Sequence, residues 1–294
     1  MTRPFPPCRP VSSGTFPVLA RMVLGLALVG GILLILSPWL AEALLYQPSR
    51  GDPGPPPALM GIPGEAVTLT TEDGVFLTAW WYEAGLGGGH VPPMILFFHG
   101  NAGDISHRTP IAEGLLGEGL SVLLLEYRGY GSSGGKPSED GFHLDARAGR
   151  DFLLGKGAGH GRIVVMGRSM GGAVAASLAA REPVGGLVLE SAFTSLEAMA
   201  GILYPFLPSS LFRRLRGRFA TVELVRDVDV PVLVIHGEAD DLVPPEMGKE
   251  LLEAAREPKD WMGVPGAGHN DVFWVAGHAY FRRIAAFARE CCGP

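Results

Sequence analysis

Hydrophobic residues follow three different patterns along this chain of 294 residues. The run Met22–Ala41 has no charged residue over twenty positions. A stretch rich in proline and glycine follows at residues 48–57. Beyond residue 63, short apolar segments alternate with longer amphipathic ones. These patterns predict an apolar helix, a linker and one globular domain.

The apolar run is typical of a membrane anchor. Twenty helical residues cover about 30 Å, which matches the hydrocarbon core of a bilayer. Arg3, Arg9 and Arg21 precede the run, and a basic excess on one side of a span predicts that this side is cytoplasmic. A signal peptide cleaved near Ala41-Glu42-Ala43 is the alternative interpretation.

The expected organisation of the membrane protein follows from that orientation. Residues 1–21 form a cytoplasmic segment, and residues 22–41 cross the membrane once and contact its lipids. Residues 42–62 form a proline-rich linker. Residues 63–294 then form a globular domain on the outer side of the membrane, periplasmic or extracytoplasmic.

The globular part alternates between strand-like and helix-like patterns. Residues 65–82 predict a hairpin around the turn Glu72-Asp73-Gly74. Continuous apolar strands separated by helices indicate an α/β fold with a mostly parallel central sheet and helices on both faces. An irregular segment at about 193–226 is expected to form a small insertion over the active site. Further strands are predicted over 94–98, 120–125, 163–166, 184–189, 230–235 and 261–264, and helices over 106–118, 139–154, 169–180, 246–256 and 273–289.

Composition narrows the class of partner and cofactor. The formal net charge is −6 without a basic block, which argues against nucleic acid as a partner. The three cysteines, Cys8, Cys291 and Cys292, form no CxxC pair, so neither a structural metal site nor a disulfide framework is expected. No phosphate loop or dinucleotide fingerprint is present, and no cofactor is expected.

The segment GRSMGG, Gly167–Gly172, carries the first chemical signal. It joins the apolar strand Ile163–Met166 to a helix-like stretch, and it matches the pattern G-x-S-x-G of a nucleophile elbow. Glycines on both sides allow a sharp turn that exposes the hydroxyl of Ser169. The following helix directs its N-terminal amides towards the same place.

A base and an acid are available for such a serine. A serine hydroxyl needs a base to remove its proton, and His269 lies in a loop between the last predicted strand and the last helix. A carboxylate must hold the base in the correct tautomer. Asp240 and Asp241, just past the strand 230–235, are both candidates. The chain order serine, aspartate, histidine is that of α/β-hydrolases.

Donors for an oxyanion hole are expected after the strand Met94–Phe98. The amide of Asn101 or of Ala102, paired with that of Met170, could bind a tetrahedral oxyanion. The sequence does not choose between the first two amides. His99, in the same loop, is expected to brace the loop from the end of the strand.

Six segments in a fixed order resemble the α/β-hydrolase superfamily. The resemblance runs from about Gly61 to near the C-terminus, and it is strongest to the membrane-anchored group that includes alpha/beta hydrolase domain-containing protein 13 and the yeast bud-emergence relatives, with a serine aminopeptidase-like domain. It implies the α/β-hydrolase fold, Ser169 as nucleophile, His269 as base and Asp240 as acid. The segments are FFHGNAGDISHR, LLLEYRGYGSSGGKPSEDG, GRSMGGAVAASLA, LESAFTSL, VIHGEADDLVPP and PGAGHND.

The expected activity is that of a serine hydrolase. Ester, thioester and amide bonds all remain open, because related members remove fatty acyl groups from protein cysteines and others are labelled as peptidase-like. A small acyl or lipidic substrate is expected, with esterase, lipase or thioesterase chemistry favoured over peptidase chemistry. A membrane-anchored binding or scaffold protein on the same fold is the alternative.

Overall fold

The computed structural model describes residues 46–85, 91–206, 208–215 and 217–292. The expected cytoplasmic segment and membrane anchor, residues 1–41, lie outside these ranges. Within them, no helix combines the length and the apolar character that a bilayer crossing requires.

Eight strands of the described residues form one sheet at the centre of the domain. Their order across the sheet is β1-β2-β4-β3-β5-β6-β7-β8. The pairs β1–β2 and β2–β4 are antiparallel, whereas the other neighbours are parallel. The predicted hairpin and mostly parallel sheet are confirmed. The strands are β1 Glu65–Thr70, β2 Phe76–Tyr82, β3 Met94–Phe98, β4 Ser121–Leu125, β5 Ile163–Arg168, β6 Gly186–Glu190, β7 Val232–Gly237 and β8 Lys259–Val264.

Helices cover both faces of this sheet. The predicted helix 106–118 begins as a 3-10 turn, Ile105–Arg108, whose first residues are capped by the Asp104 side chain. The predicted helix 273–289 is divided at Gly277, where φ is +54°. The α-helices are α1 Thr109–Gly117, α2 Glu139–Gly155, α3 Met170–Ala179, α4 Leu196–Leu203, α5 Thr221–Arg226, α6 Pro245–Ala254, α7 Val272–Ala276 and α8 His278–Cys292.

Alternate residues of each strand point to opposite faces, and both faces are apolar. Ile95 and Phe97 of β3 belong to the core on the side of α1 and α8. Leu96 lies on the other side, so close to α2 that a Cβ on Gly149 would be 2.9 Å from its Cδ1. Helices α3, α5 and α6 continue that second layer. Two covered faces explain why the strands are continuous apolar runs.

The described part of the expected linker, residues 46–62, lies against the domain. The side chain of Tyr46 is 5% exposed and that of Leu59 is 6% exposed. The backbone N–H groups of Leu59 and Ile62 each donate to the other residue's carbonyl. Burial of these apolar side chains stabilises the contact, so this stretch is not a free spacer.

The segment expected to be an insertion connects β6 to β7. It contains α4, a 3-10 segment Ser209–Leu215, and α5. Its two ends meet, because the N–H of Leu196 donates to the carbonyl of Arg218 over 3.2 Å. The segment leaves the sheet at the carboxyl end of β6, the edge at which parallel α/β sheets place their sites. Large apolar side chains are exposed near the end of α4, namely Ile202, Leu203, Tyr204 and Phe206.

Candidate active site

Ser169 occupies a strained turn between β5 and α3. Its φ of 53° and ψ of −119° lie outside the conformations that most side-chain-bearing residues adopt. The strand ends at Arg168 and the helix begins at Met170, so one residue makes the whole reversal. Such strain costs about 1–3 kcal/mol and persists where the surrounding structure imposes it.

The glycines around Ser169 are required by close backbone contacts. A Cβ on Gly167 would lie 2.0 Å from the carbonyl oxygen of Gly171. A Cβ on Gly171 would lie 2.2 Å from the carbonyl oxygen of Phe98, in the neighbouring strand β3. Both obstacles are backbone atoms, which cannot turn aside as a flexible side chain can. The pattern G-x-S-x-G therefore has a steric cause at this turn.

The carboxylate of Asp240 is held from several directions. Its Oδ2 lies 2.8 Å from Nδ1 of His269. Its Oδ1 accepts the backbone N–H groups of Leu242 and Val243, at 3.0 and 2.8 Å. Burial opposes ionisation, but hydrogen bonds from His236, His269 and the Val243 amide outweigh it and hold the pKa of Asp240 well below its usual range. The neighbouring candidate, Asp241, is exposed.

A second histidine contacts the same carboxylate. The Nε2 atom of His236, in β7, lies 3.4 Å from Oδ2 of Asp240 and 2.9 Å from the carbonyl oxygen of Val243. A carbonyl only accepts, so this Nε2 carries a hydrogen. Nδ1 is buried with no hydrogen-bond partner among the described residues. The ring is stacked on Trp261, with centroids 6.2 Å apart.

Arg168 connects the serine turn to the histidine loop. Its Nη2 donates to the carbonyl oxygen of His269 over 2.8 Å and to Oδ1 of Asn270 over 3.1 Å. Its Nε lies 3.5 Å from Oε1 of Glu190, a buried carboxylate that also accepts the hydroxyl of Tyr280. The residue before the serine thus fixes the backbone that carries the predicted base.

The predicted oxyanion loop passes directly beside Ser169. A Cβ on Gly100 would lie 3.5 Å from the Cβ of Ser169, which is ordinary van der Waals contact. His99 is buried, and its Nδ1 lies 2.7 Å from the carbonyl oxygen of Gly100. Its Nε2 lies 3.2 Å from Oε1 of Glu126, although neither atom is aligned for a hydrogen bond. Packing of His99 against this loop fits the bracing role expected for it.

The two candidate amide residues of this loop are anchored through their oxygens. The side-chain Oδ1 of Asn101 accepts the hydroxyl of Tyr130 over 2.8 Å. The carbonyl oxygen of Ala102 accepts a hydrogen bond from the guanidinium of Arg108. Met170, the third predicted donor, is the first residue of α3, and no side chain caps that helix end. No capping side chain therefore accepts a hydrogen bond from its N–H group, which lies at the serine turn.

Ser169 and His269 are not joined directly in this structure. Among the described residues, no hydrogen bond links the Ser169 hydroxyl to the imidazole. Ser169 is half-buried and His269 is 8% exposed, so the serine is partly accessible to solvent. Catalytic hydrogen bonds are often long in ligand-free enzymes and tighten when substrate binds. A triad mechanism therefore requires one contact beyond those in this structure, a hydrogen bond between the Ser169 hydroxyl and the imidazole of His269.

Comparison with known proteins decides the family. The family described as alpha/beta hydrolase fold matches residues 93–223. The alpha/beta hydrolase domain-containing protein WAV2 of Arabidopsis thaliana is 35% identical over 289 residues, covering 89% of this chain and 91% of WAV2. The chain belongs to the alpha/beta hydrolase family. This alpha/beta hydrolase is also similar to protein bem46 of Schizosaccharomyces pombe, which is 35% identical over 67% of this chain and 68% of bem46.

A solved structure supports the same family and a hydrolytic activity. The Pyrococcus furiosus esterase Pf2001 superimposes on this alpha/beta hydrolase with a TM-score of 0.64 and 25% sequence identity. The match covers 82% of this chain and 100% of the esterase chain. The expected α/β-hydrolase fold and superfamily are confirmed, and the chain is a hydrolase.

Two residues at the site were not singled out as functional by the sequence. Arg168 lies inside the elbow motif, and His236 lies in the segment that carries Asp240. An arginine directly before the nucleophile and a histidine four residues before the acid could have marked both residues as candidates, although not their partners. Among the described residues, no cluster of histidine, cysteine and carboxylate side chains is suited to a metal ion.

Proposed function

We propose that this alpha/beta hydrolase is a serine hydrolase with Ser169 as nucleophile, His269 as general base and Asp240 as the group that orients the base. One observation carries the proposal: the carboxylate of Asp240 lies 2.8 Å from Nδ1 of His269. Arg168, the residue before the strained serine, supports it by donating a hydrogen bond to the backbone carbonyl of His269. No cofactor is needed for this chemistry.

The tautomer of His269 follows from its partner. An ionised carboxylate only accepts, so Nδ1 of His269 donates its hydrogen to Asp240. The lone pair on Nε2 is then available for the hydroxyl proton of Ser169. The depressed pKa of Asp240 keeps the carboxylate negative, which stabilises the imidazolium that forms after proton transfer.

The reaction has two balanced halves. In the first, the oxygen of Ser169 bonds to the acyl carbon, His269 takes the serine proton and delivers it to the leaving group, and the bond between acyl carbon and leaving group breaks. In the second, water gives a proton to His269 and bonds to the acyl carbon. The bond from that carbon to Ser169 breaks, the acid is released, and the proton returns to Ser169. The N–H of Met170 and that of Asn101 or Ala102 bind the oxyanion in both halves.

An acyl ester of a lipidic molecule is the proposed substrate class, with thioester and amide substrates as further members of the series to be tested. The similarity to an esterase at 25% identity supports an ester. Exposed apolar side chains follow the carboxyl ends of three strands and suit an apolar substrate: Tyr204 and Phe206 after β6, Leu242 after β7, and Trp274 after β8. Large exposed apolar side chains often mark binding surfaces.

Membrane attachment belongs to the same proposal. Residues 22–41 form a single-pass anchor with the N-terminus inside, and the catalytic domain lies outside the cytoplasm. The uncharged run of twenty residues and the preceding arginines support it. Protease added to spheroplasts, whose cytoplasmic membrane is intact, should digest the domain and spare an N-terminal tag. A mature chain that starts after residue 43 would contradict the anchor and show that the apolar run belongs to a cleaved signal peptide.

A fluorophosphonate probe tests the nucleophile. The wild type should be labelled covalently, and Ser169→Ala should lose the label. Ser177→Ala, a serine on the next turns of α3, is the matched control and should be labelled like the wild type. A folded wild type that is neither labelled nor active on a chain-length series of acyl esters, thioesters and amides would instead support a non-catalytic binding or scaffold protein.

A further inference from the structure

The first described residues, 46–51, contact the predicted oxyanion loop and the elements beside it. Tyr46 packs against Phe142 and Phe219, with ring centroids 5.4 and 6.2 Å apart. Its hydroxyl lies 3.4 Å from Nη2 of Arg218. Phe142 belongs to α2, and Phe219 lies in the segment between β6 and β7. The aromatic side chain therefore fixes the start of the described chain between two elements near the predicted site.

Backbone pairing holds the rest of the segment in place. The carbonyl oxygen of Ser49 accepts the N–H of Gly131 over 2.8 Å, and the N–H of Gly51 donates to the carbonyl of Gly131 over 3.2 Å. A side chain at Gly131 would clash with Glu126, whose Oε2 would lie 2.6 Å from the new Cβ. The loop that receives the segment is thus itself tightly packed.

The segment also reaches the predicted oxyanion loop directly. The N–H of Gln47 donates to the side-chain Oδ1 of Asn101 over 3.1 Å. The hydroxyl of Tyr130 donates to the same oxygen over 2.8 Å. An amide oxygen has two lone pairs, so it can accept both hydrogen bonds. One donor comes from the segment 46–51 and the other from the loop to which that segment is paired.

We infer that the backbone N–H of Gln47 is a positioning group for the oxyanion hole, and that residues 46–51 are part of the catalytic architecture. The inference rests on the proposed serine hydrolase function. Asn101 follows Gly100, where an added Cβ would be in van der Waals contact with the Cβ of Ser169. A rotation of the Asn101 side chain transmits to the peptide groups of residues 101 and 102, and oxyanion donors act only when they are aimed before the reaction.

The contact is suited to positioning more than to stability. The Gln47–Asn101 hydrogen bond is solvent-exposed, so water can take over as donor when it is lost, and little folding free energy depends on it. The rest of the segment stays attached through Tyr46, Ser49 and Gly51. Water does not fix the direction of the carboxamide as a backbone N–H does. The expected effect therefore lies in catalysis.

Two substitutions of Gln47 distinguish the effect of its backbone N–H from the effect of its side chain. Gln47→Pro removes the N–H, whereas Gln47→Ala keeps it and removes only side-chain atoms. In the full-length protein, kcat on a soluble short-chain ester should be about three- to tenfold lower for Gln47→Pro than for Gln47→Ala, as expected for loss of one neutral hydrogen bond. KM should differ less than twofold, because the ester is bound by other groups. Hydrogen exchange of residues 99–103 should be faster in Gln47→Pro only.

Tyr130→Phe provides a second test, because it deletes the other donor to Asn101 and keeps the backbone N–H of residue 47. It should also lower kcat several-fold with little change in KM, and it decides the matter if Gln47→Pro does not fold. Equal kcat in the two Gln47 variants, or an unchanged kcat in Tyr130→Phe, would overturn the inference. A wild type with no hydrolysis and no fluorophosphonate label would contradict the proposed function instead.

Discussion

Replacement of Asp240 by asparagine tests the catalytic proposal at its best-defined contact. The substitution keeps the shape of the side chain and removes its charge. The new carboxamide oxygen can still accept the N–H groups of Leu242 and Val243, which now bond to Oδ1. The NH₂ group must then take the place of Oδ2, facing Nδ1 of His269 and Nε2 of His236.

That arrangement forces a wrong tautomer on the base. The NH₂ group donates, so Nδ1 of His269 must become the acceptor and its hydrogen must move to Nε2. An imidazole with a hydrogen on Nε2 cannot accept the serine proton. In serine hydrolases with such a triad this change lowers kcat about 10⁴-fold, equivalent to about 5 kcal/mol of barrier. His236 cannot switch in the same way, because its Nε2 hydrogen faces Val243.

The stability of the variant can be worked out from the same contacts. Two donors, from residues 236 and 240, would face each other at about the 3.4 Å that now separates Nε2 from Oδ2. We expect a loss of about 1–3 kcal/mol, since a buried donor is left without an acceptor. The native carboxylate has a depressed pKa, so its stabilising effect is present above about pH 4 and is lost as the pH falls. The difference between wild type and variant should shrink below pH 4.

The assay compares kcat on a soluble ester with the thermal midpoint of each protein. Asp241→Asn is the matched control, because Asp241 is the exposed neighbour and should keep wild-type kcat. If folded Asp240→Asn retained more than about a tenth of the wild-type kcat, Asp240 would not be the group that orients the base. Loss of activity in Asp241→Asn alone would move that role to its neighbour.

Three further predictions concern residues around the site. Gly171→Ala should cost about 3 kcal/mol in urea unfolding because its Cβ meets backbone, whereas Gly201→Ala, which meets nothing within 4 Å, should be neutral or stabilising; equal effects would refute the steric argument. His236→Phe should lower unfolding free energy by about 1–3 kcal/mol, measured the same way. Burial raises the pKa of Asp145 to about 6, although hydrogen bonds and charge from Arg128 oppose the shift. The free energy of unfolding should therefore fall as the pH rises from 4 to 6. Asp145→Asn should not show this fall.

Much of the fold could be predicted from local patterns. Strand β3, Met94–Phe98, was expected at these residues because it is apolar throughout and follows the loop residues Pro92-Pro93. Helix α2 has a Ser138 cap and acidic residues in its first turn, and it was expected over nearly the same range. The division of the last helix at Gly277 was not expected, since one glycine leaves an amphipathic pattern intact. The structure of the segment after β6 was also not predicted, because its apolar residues have no clear period.

Assignment of the site depended on both the sequence and the tertiary structure. Motif and order proposed Ser169, His269 and either Asp240 or Asp241, because a nucleophile turn requires glycines and strand ends collect polar groups. The family resemblance implied Asp240 as the acid. Only the folded chain shows that Asp240 and His269 pair: they are 29 positions apart in sequence, yet Oδ2 of Asp240 lies 2.8 Å from Nδ1 of His269. The roles of Arg168 and His236 could not be derived from spacing. Each depends on a carbonyl or carboxylate supplied by another element.

The sequence by itself determined the α/β class, the serine turn and the short set of side chains able to carry out acyl transfer, because these depend on local periodicity and on steric limits within a few residues. The tertiary structure alone decided which carboxylate faces the histidine, that Arg168 holds the histidine loop, and that residues 46–51 reach Asn101, 54 positions along from Gln47. Hydrogen bonds act over about 3 Å, and no pattern along the chain reports which distant groups folding brings within that range.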